Sequence, residues 1–427
     1  MIRPKIYFMK KIIYLFVGIT AFFICPANAQ QPVSINSILD SIEHNNPVLR
    51  MYDADIRSLD EAAKGAKSWM APEISSGFWM VPYKTSLWKK QSDGATGMGQ
   101  FMISGQQLIP NPKRLSADAK YMESMSSVEK QKKKASLNEL YAEAKRNYYE
   151  WMIIKKKLAI LDQNEKLLDF MIRNAELRYK NGLEKISAYY KAKAAIGNIQ
   201  NMRIMQENEI KQKRIALNTL MYRDKEIFFD IDTTYAIKNF SNISFDSTTF
   251  INARSDIKAI ENDIQVTYLK QKTEKARLLP EYGIQYGHMF GFGGLPAQFT
   301  LMGMVRLPMA RWSSKMNKAN IQSLKWKAES LVQQRQMIIN ESTGMASRMW
   351  NEIESKKKQI KLYEENIIPA LRRNYQSMQL GYEQNTEELF TLFDAWETLN
   401  MTQLEYINQL QQLLQMQVEL ERILETK

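Results

Sequence analysis

The chain has 427 residues, a mean hydropathy of −0.42 and a net charge of +13 at neutral pH. Glycine (17) and proline (12) are scarce, while Lys, Glu, Gln, Leu, Ala and Met abound, which is the composition of long helices rather than of one compact globule. A single cysteine, Cys25, and two histidines, His44 and His288, exclude a disulfide framework and leave too few ligands for a Cys or His metal cluster.

The first 29 residues read as a secretory signal peptide. Met9-Lys10-Lys11 gives the positive end, Ile12 to Ile24 the apolar run, and Ala27-Asn28-Ala29 the small-residue cleavage site. An anchoring helix is the alternative, but the run is too short to span a bilayer. A lipid-modified Cys25 is another, against which stand the large residues Phe22 and Ile24. Cleavage takes away the cysteine and four positive charges (Arg3, Lys5, Lys10 and Lys11), so +13 becomes +9. The remaining lysine runs, 132–134, 155–157 and 356–358, sit inside helical stretches and read as solvated faces. Export and the lack of exposed aromatics interleaved with them argue against nucleic acid.

Residues 34–70 read as one or two helices, with Asn46-Pro47 marking a break and a fresh start. Strands follow over 72–83 and 98–109. From Lys113 to Tyr179 there is neither proline nor glycine, so one helix of about 65 residues would run about 100 Å. Asn181-Gly182 ends it, and a second helix covers about 184–222. The plan then repeats: short helices over about 247–278, strands over 281–293 and 297–307, a long helix over 313–381 kinked at Pro369, a break at Glu383 to Thr386, and a last helix to Leu424. The stretch RYKNGLEKISAYYKA answers GYEQNTEELFTLFDA, and each strand pair ends in a proline-basic turn: Pro110 with Lys113-Arg114, then Pro308 with Arg311. This duplication divides the chain into a first repeat over 30–246 and a second over 247–427.

The long helices carry a seven-residue rhythm. Leu392, Leu399, Tyr406, Leu413 and Leu420 form one seam, with Leu389, Trp396, Leu410 and Leu424 beside it, and Ile154, Leu161, Leu168 and Ala175 repeat the pattern in the first copy. Sustained heptads imply left-handed supercoiling. Gln403, Gln417 and Glu165 interrupt the companion seam, so a sheet of helices with one wet face fits as well as a two-stranded zipper.

In the strands, Tyr282, Ile284, Tyr286, Phe290 and Phe292 alternate with Gly283, Gln285, Gly287, Met289 and Gly291, with His288 the one polar intruder on the aromatic face. The returning strand sets Phe299, Leu301, Gly303, Val305 and Leu307 against Gln298, Thr300, Met302, Met304 and Arg306. Strands of about ten residues with this alternation have the length and pattern of an outer-membrane barrel. Two hairpins supply only four strands. Closed membrane barrels start at about eight strands, and an open edge has no place in lipid, so several chains must share one barrel. Three would supply twelve strands.

These features together resemble the TolC family of outer-membrane efflux ducts over about residues 34–424. The residues that carry the resemblance are Asn46-Pro47, Ala253-Arg254-Ser255-Asp256-Ile257 with Glu261, the strand-ending Ile109-Pro110 and Leu307-Pro308, and the two glycine-containing helix breaks. The resemblance implies a mainly α-helical fold with a membrane β-barrel part: a long coiled-coil tunnel, and a twelve-stranded barrel in a homotrimer set in outer-membrane lipid. It implies a passive exit duct with no catalytic residues, cofactor or metal. The implied partners are a periplasmic membrane-fusion adaptor and an inner-membrane pump, for instance of the resistance-nodulation-division type. It places the adaptor-docking tip at Tyr179, Asn181, Gly182, Leu183 and Ser187, and at Tyr382, Asn385 and Thr386. Asp394 matches an acidic aperture position; Thr391 stands where another acid is found, and Glu387 where a basic link is found. The segments Pro110-Asn111-Pro112-Lys113 and Met309-Ala310-Arg311-Trp312 depart from the family's glycine-rich barrel exit.

Of the 25 methionines, Met70, Met80, Met98, Met102, Met289, Met302, Met304 and Met309 cluster around the strands. Thioethers suit soft metals, but methionine also simply fills irregular apolar gaps. The alternative to a duct is a periplasmic coiled-coil adaptor or scaffold with no channel, which would require the strands to be soluble.

Overall fold

The computed structural model describes residues 32–182, 185–240 and 246–427; the expected signal peptide and Leu183 lie outside them. Helices α1 (Ile35–Asn45) and α2 (Pro47–Lys64) lead into strands β1 (Glu73–Trp79) and β2 (Gln100–Ile109). The long helix α3 (Pro112–Lys180) and its return α4 (Ile186–Leu220) follow. The same order then recurs as α5 (Ser247–Ala253), α6 (Ser255–Ala276), β3 (Glu281–Gly291), β4 (Gln298–Arg306), α7 (Arg311–Leu362), α8 (Ile368–Glu383) and α9 (Leu389–Leu424).

The four strands make one antiparallel sheet in the order β1-β2-β3-β4. The two hairpins are joined through β2 and β3, from Gln100 opposite Gly291 to Ile109 opposite Tyr282. The alternation expected for β3 and β4 is present: Tyr282, Ile284, Tyr286 and Phe290 are exposed on one face and continue into Phe299, Leu301 and Val305, while Gly283, Gly287 and Met289 on the other face are buried. Register places Ile74, Phe78, Phe101 and Ile103 on the outward face too. His288 also points outward, its ring edge-on to Phe290 at 4.5 Å. The inward face is polar, with Ser75 and Ser104 hydrogen-bonded at 2.8 Å and Gln100 donating to Gln298 at 3.1 Å. Met102, Met289, Met302 and Met304 share that face.

Strand β1 is shorter than the 72–83 expected. Met80 takes a left-handed φ of 49°, which ends the extended run, and Pro82 offers no N–H to a ladder.

Two residues connect β2 to α3. Asn111 caps the helix, accepting from the Lys113 N–H at 3.0 Å, and its amide donates to the Pro280 carbonyl at 3.1 Å just before β3. Pro112 occupies the first helical turn, where no N–H is needed. Glu281 receives Arg114 from α3 and Arg306 from β4 (3.3 Å), so charge-assisted bonds lock the sheet onto the helices. At 69 residues, α3 extends about 100 Å.

The sequence stretches singled out in the two repeats do the same mechanical work. Asn46 caps α2 through the Val48 N–H at 3.0 Å and donates to the Leu220 carbonyl at 2.9 Å, tying the start of α2 to the end of α4. In the second repeat Arg254 pairs with Asp256 and donates to the Ile423 carbonyl at 2.9 Å, while Ser255 binds Glu425. The start of α6 is thereby tied to the end of α9.

The core is distributed along the helices in two clusters. One lies at mid-height around Ile38, Ile42, Trp151, Phe250, Leu413 and Leu420. The other runs toward the far end through Leu161, Leu168, Ala175, Tyr382, Leu392, Trp396 and Leu399. The heptad residues are buried as their spacing predicts, and Tyr406 packs against the first cluster partly covered. The interrupting Glu165 meets Arg203, and Gln417 reaches the Lys238 carbonyl at 3.3 Å. Glu421, 3% exposed, sits between Lys145 and Lys238, so its burial is compensated by two cations. The break near Pro369 is a π-helical turn over Tyr363–Ile367, which absorbs the proline's missing N–H without ending the helix.

The face assignment has a direct check. Ile284→Arg puts a charge on the outward face and should cost about 2–4 kcal/mol of insertion near a bilayer midplane, whereas Gln285→Arg faces inward and should be tolerated. Equal insertion of both variants into outer-membrane fractions would reverse the assignment.

Candidate functional site

The end of the helical body farthest from the sheet is built from the two helix breaks. At the first, α3 closes on Asn181, whose N–H bonds the Leu177 and Arg178 carbonyls and whose side chain donates to Leu177 at 3.0 Å. Gly182 follows at φ +69°, and a Cβ built on it meets nothing within 4 Å. Its glycine requirement is therefore conformational rather than steric. Tyr179, Asn181, Gly182 and Ser187 are all exposed, and Leu183 lies outside the described residues.

The second break is more tightly bonded. The Gly381 carbonyl accepts from the Thr386 N–H (2.9 Å), the Thr386 hydroxyl (3.0 Å) and the Glu387 N–H (3.2 Å). Asn385 takes a left-handed φ of 62°, which Asn tolerates better than most side chains. A Cβ on Gly381 would lie 2.6 Å from Glu387 Cγ, so this glycine is needed for space. Asn385 and Thr386 are exposed, but Tyr382 is 2% exposed and shapes the turn from inside instead of presenting its ring to a partner.

Sequence reasoning did not single out the residue that joins the two breaks. Arg178 donates to the Tyr382 carbonyl at 2.9 Å and stacks over the Tyr382 ring at 4.3 Å. A guanidinium can do both at once because it is planar and carries a fork of donors. With Gly182, Lys185, Asn385, Thr386, Glu387 and Glu388 it lines an open cleft of about 680 Å³ between the turns. A second link joins α4 to α9: Lys191 lies over Phe390 at 4.1 Å and over Phe393 at 4.4 Å. The only hint in the sequence was that Arg178 adjoins the Tyr179 motif and that Lys191 follows it.

The two aperture candidates part company. Glu387 is half-buried and folds back against Gly381 at the turn, whereas Asp394 is exposed more than a helical turn further along α9. Among the described residues no three His, Cys, Asp or Glu side chains come together as a metal site, and no helix is long and apolar enough to cross a membrane.

Residues 38–221 match the model of the outer membrane efflux protein family. No curated protein sequence matches the chain. Solved structures share its fold over nearly the whole length. The CusC channel is 14% identical, with 95% of this chain and 96% of that one covered at a TM-score of 0.74. The VceC outer membrane protein of Vibrio cholerae is 14% identical, covering 92% and 96% at 0.72. The open-state MtrE outer membrane channel of Neisseria gonorrhoeae is 13% identical, covering 92% and 89% at 0.72. Residues 38–221 thus match the outer membrane efflux protein family by sequence, and nearly the whole chain shares the fold of solved outer-membrane channels.

Proposed function

We propose that the chain is the outer-membrane exit duct of a tripartite efflux system. It closes as a homotrimer and receives substrate from a periplasmic adaptor and an inner-membrane pump at the Gly182–Asn385 tip. The observation that carries this is the sheet. It is one four-stranded layer with an exposed, uncharged outward face and two unpaired edges, rising directly from helices about 100 Å long. A closed barrel needs more strands than one chain holds, and three chains make twelve. The far end of such a barrel and tunnel is where a periplasmic partner meets it. The cleft lined by Arg178, Lys185, Glu387 and Glu388 there offers both signs of charge to a docking segment. A coiled-coil scaffold without a channel would need a cover for Tyr282, Ile284, Tyr286, Phe299 and Leu301, all at least half exposed. Native mass measurement in detergent should give three times the chain mass in protein extracted from outer-membrane fractions. A stable monomer with an intact sheet, or a soluble protein, would end this reading.

The tip yields two further expectations. Gly182→Val places a β-branched residue at φ +69°, so that turn should distort while the barrel, far away, still assembles. Gly182→Asn, which tolerates the same backbone, should keep efflux that Gly182→Val loses in a drug- or dye-accumulation assay. If Val and Asn behave alike, the turn geometry does not matter to docking. Asp394 is tested by single-channel conductance. Three exposed carboxylates around an aperture attract cations, so Asp394→Ala should lower cation selectivity and weaken the salt dependence of conductance. Unchanged conductance would remove Asp394 from the aperture and leave the duct intact.

A further inference from the structure

The loop between β1 and β2, at the end of the sheet opposite the helices, is a built structure. A short 3₁₀ turn over Thr85–Trp88 folds back so that Trp88 stacks on Phe292 at 5.5 Å and lies 5.9 Å from Phe78. Phe78 also meets Phe101 and Phe292, at 5.6 and 6.1 Å. Phe78 and Phe101 belong to the outward face of the sheet, so this stack continues that face past its last ladder bond. The loop is pinned by Met98 N–H to Leu87 (2.7 Å), Gly97 N–H to Gly293 (2.9 Å) and the Trp88 indole to the Pro82 carbonyl (2.8 Å). The approach is so close that a Cβ on Gly97 would lie 2.2 Å from the Trp88 carbonyl oxygen.

Immediately beyond the stack this rigid turn presents Lys84, Lys89 and Lys90. All three are exposed, and each stands outside every ion pair among the described residues. From Met80 to Gly99 the only acid is Asp93, and its carboxylate is occupied by the Ala95 N–H at 3.0 Å. Tyr83 is fully exposed beside them. The other end of the sheet carries its own exposed aromatics, Trp69 and Trp312. From Tyr282 to Phe292 the strand path is about 34 Å, which a tilt of about 40° projects to about 26 Å, matching a hydrophobic band of about 25 Å flanked by aromatic girdles. The cations thus lie where the apolar band stops and headgroups begin. There an ammonium finds phosphate at low desolvation cost.

We propose that the β1–β2 loop is a docking surface for the phosphate groups of the outer-leaflet glycolipid. Lys84, Lys89 and Lys90 contact the phosphates, and the Phe78–Trp88–Phe292 stack rests on the acyl chains. This rests on the outer-membrane reading above, since only there does this end of the sheet meet that leaflet. Charge complementarity selects the occupant: the outward face of the strands carries no charged residue, and the rim beyond it carries unpaired cations. Commitment to the glycolipid over ordinary phospholipid follows from the clustering, because three ammonium groups on one turn suit a headgroup bearing more than one phosphate.

The test uses the purified full chain in detergent, titrated with lipopolysaccharide, with its enzymatically dephosphorylated form and with phosphatidylglycerol, and read by native mass spectrometry. The wild-type protein should bind lipopolysaccharide at least tenfold more tightly than the other two, and this preference should fall with added salt. Lys84→Gln/Lys89→Gln/Lys90→Gln should lose the preference while still extracting from outer-membrane fractions with the wild-type oligomeric mass. Undiminished binding by the triple variant, or equal binding of phosphatidylglycerol by the wild type, would overturn the proposal and leave the duct reading standing. A wild-type chain absent from outer-membrane fractions would overturn both. Should the triple variant fail to assemble, the single variants Lys84→Gln and Lys90→Gln decide the matter: binding unchanged in both overturns the proposal.

Discussion

Backbone hydrogen bonding at the edges of the sheet governs everything else in this molecule. Water in the periplasm satisfies an open strand edge, but hydrocarbon cannot. In one chain β1 pairs only with β2 and β4 only with β3, so each edge strand leaves one side of its ladder unpaired. Because those edges lie beside an outward face of Ile74, Phe78, Tyr286, Phe299 and Leu301, lipid and unpaired backbone would meet in a lone chain. In the proposed trimeric duct assembly is therefore part of folding: the edge of one copy would be the missing neighbour of the next. Strand length follows the same logic. With only seven residues, β1 begins opposite Gln106 and leaves Gln107–Ile109 of β2 unpaired on that side, next to the helices, where the Gln107 side chain donates to the Met70 carbonyl at 3.0 Å.

The helices inherit their placement from this sheet. With two residues between β2 and α3, and with Asn111 bonded on both sides of the junction, the angle between strand and helix has little freedom. The Arg114–Glu281–Arg306 cluster then fixes α3, β3 and β4 at one point. At mid-height the Asn46–Leu220 and Arg254–Ile423 bonds close each repeat on itself, start of one helix to end of another. Between these fixed levels the helices need only an apolar seam, and the heptads supply it. Two of the polar interruptions, Glu165 and Gln417, are paired with Arg203 and the Lys238 carbonyl instead of being excluded.

Much of this was legible in the sequence because it depends on periodicity. A period of two in β3 and β4 and of seven in α3 and α9 states which residues are buried, and Leu161, Leu168, Leu392 and Leu413 are buried accordingly. Asn-Pro and Asn-Gly state where helices begin and end through local backbone chemistry. What escaped the sequence depends on contacts between distant segments. The pairing of β2 with β3 joins residues far apart in the chain, and nothing in either strand names its partner. Tyr382 reads as an exposed turn residue until Arg178, from the other repeat, is laid over it. The π-helical turn at Tyr363–Ile367 was anticipated only as a kink, since a proline reports that a hydrogen bond is lost but not how the neighbouring turn recovers it.

The far end of the helices is built differently from the sheet end. The sheet junction and the mid-height ties rest on buried or charge-assisted bonds, while the tip turns, Tyr382 apart, are exposed and held largely by backbone bonds and one arginine. Exposed hydrogen bonds and few buried contacts mark the segments of a protein that open locally at low cost. Two turns of unequal stiffness meet there. Gly182 stands in open space, whereas the second turn gathers three donors on the Gly381 carbonyl. Motion at the tip is therefore expected to be uneven, with the first turn yielding while the second carries α9 as a unit. Because Asp394 rides on α9 and Glu387 is folded into the turn, only the former changes its surroundings when that helix swings. Asp394 is thus free to follow α9, while Glu387 holds the shape of the turn.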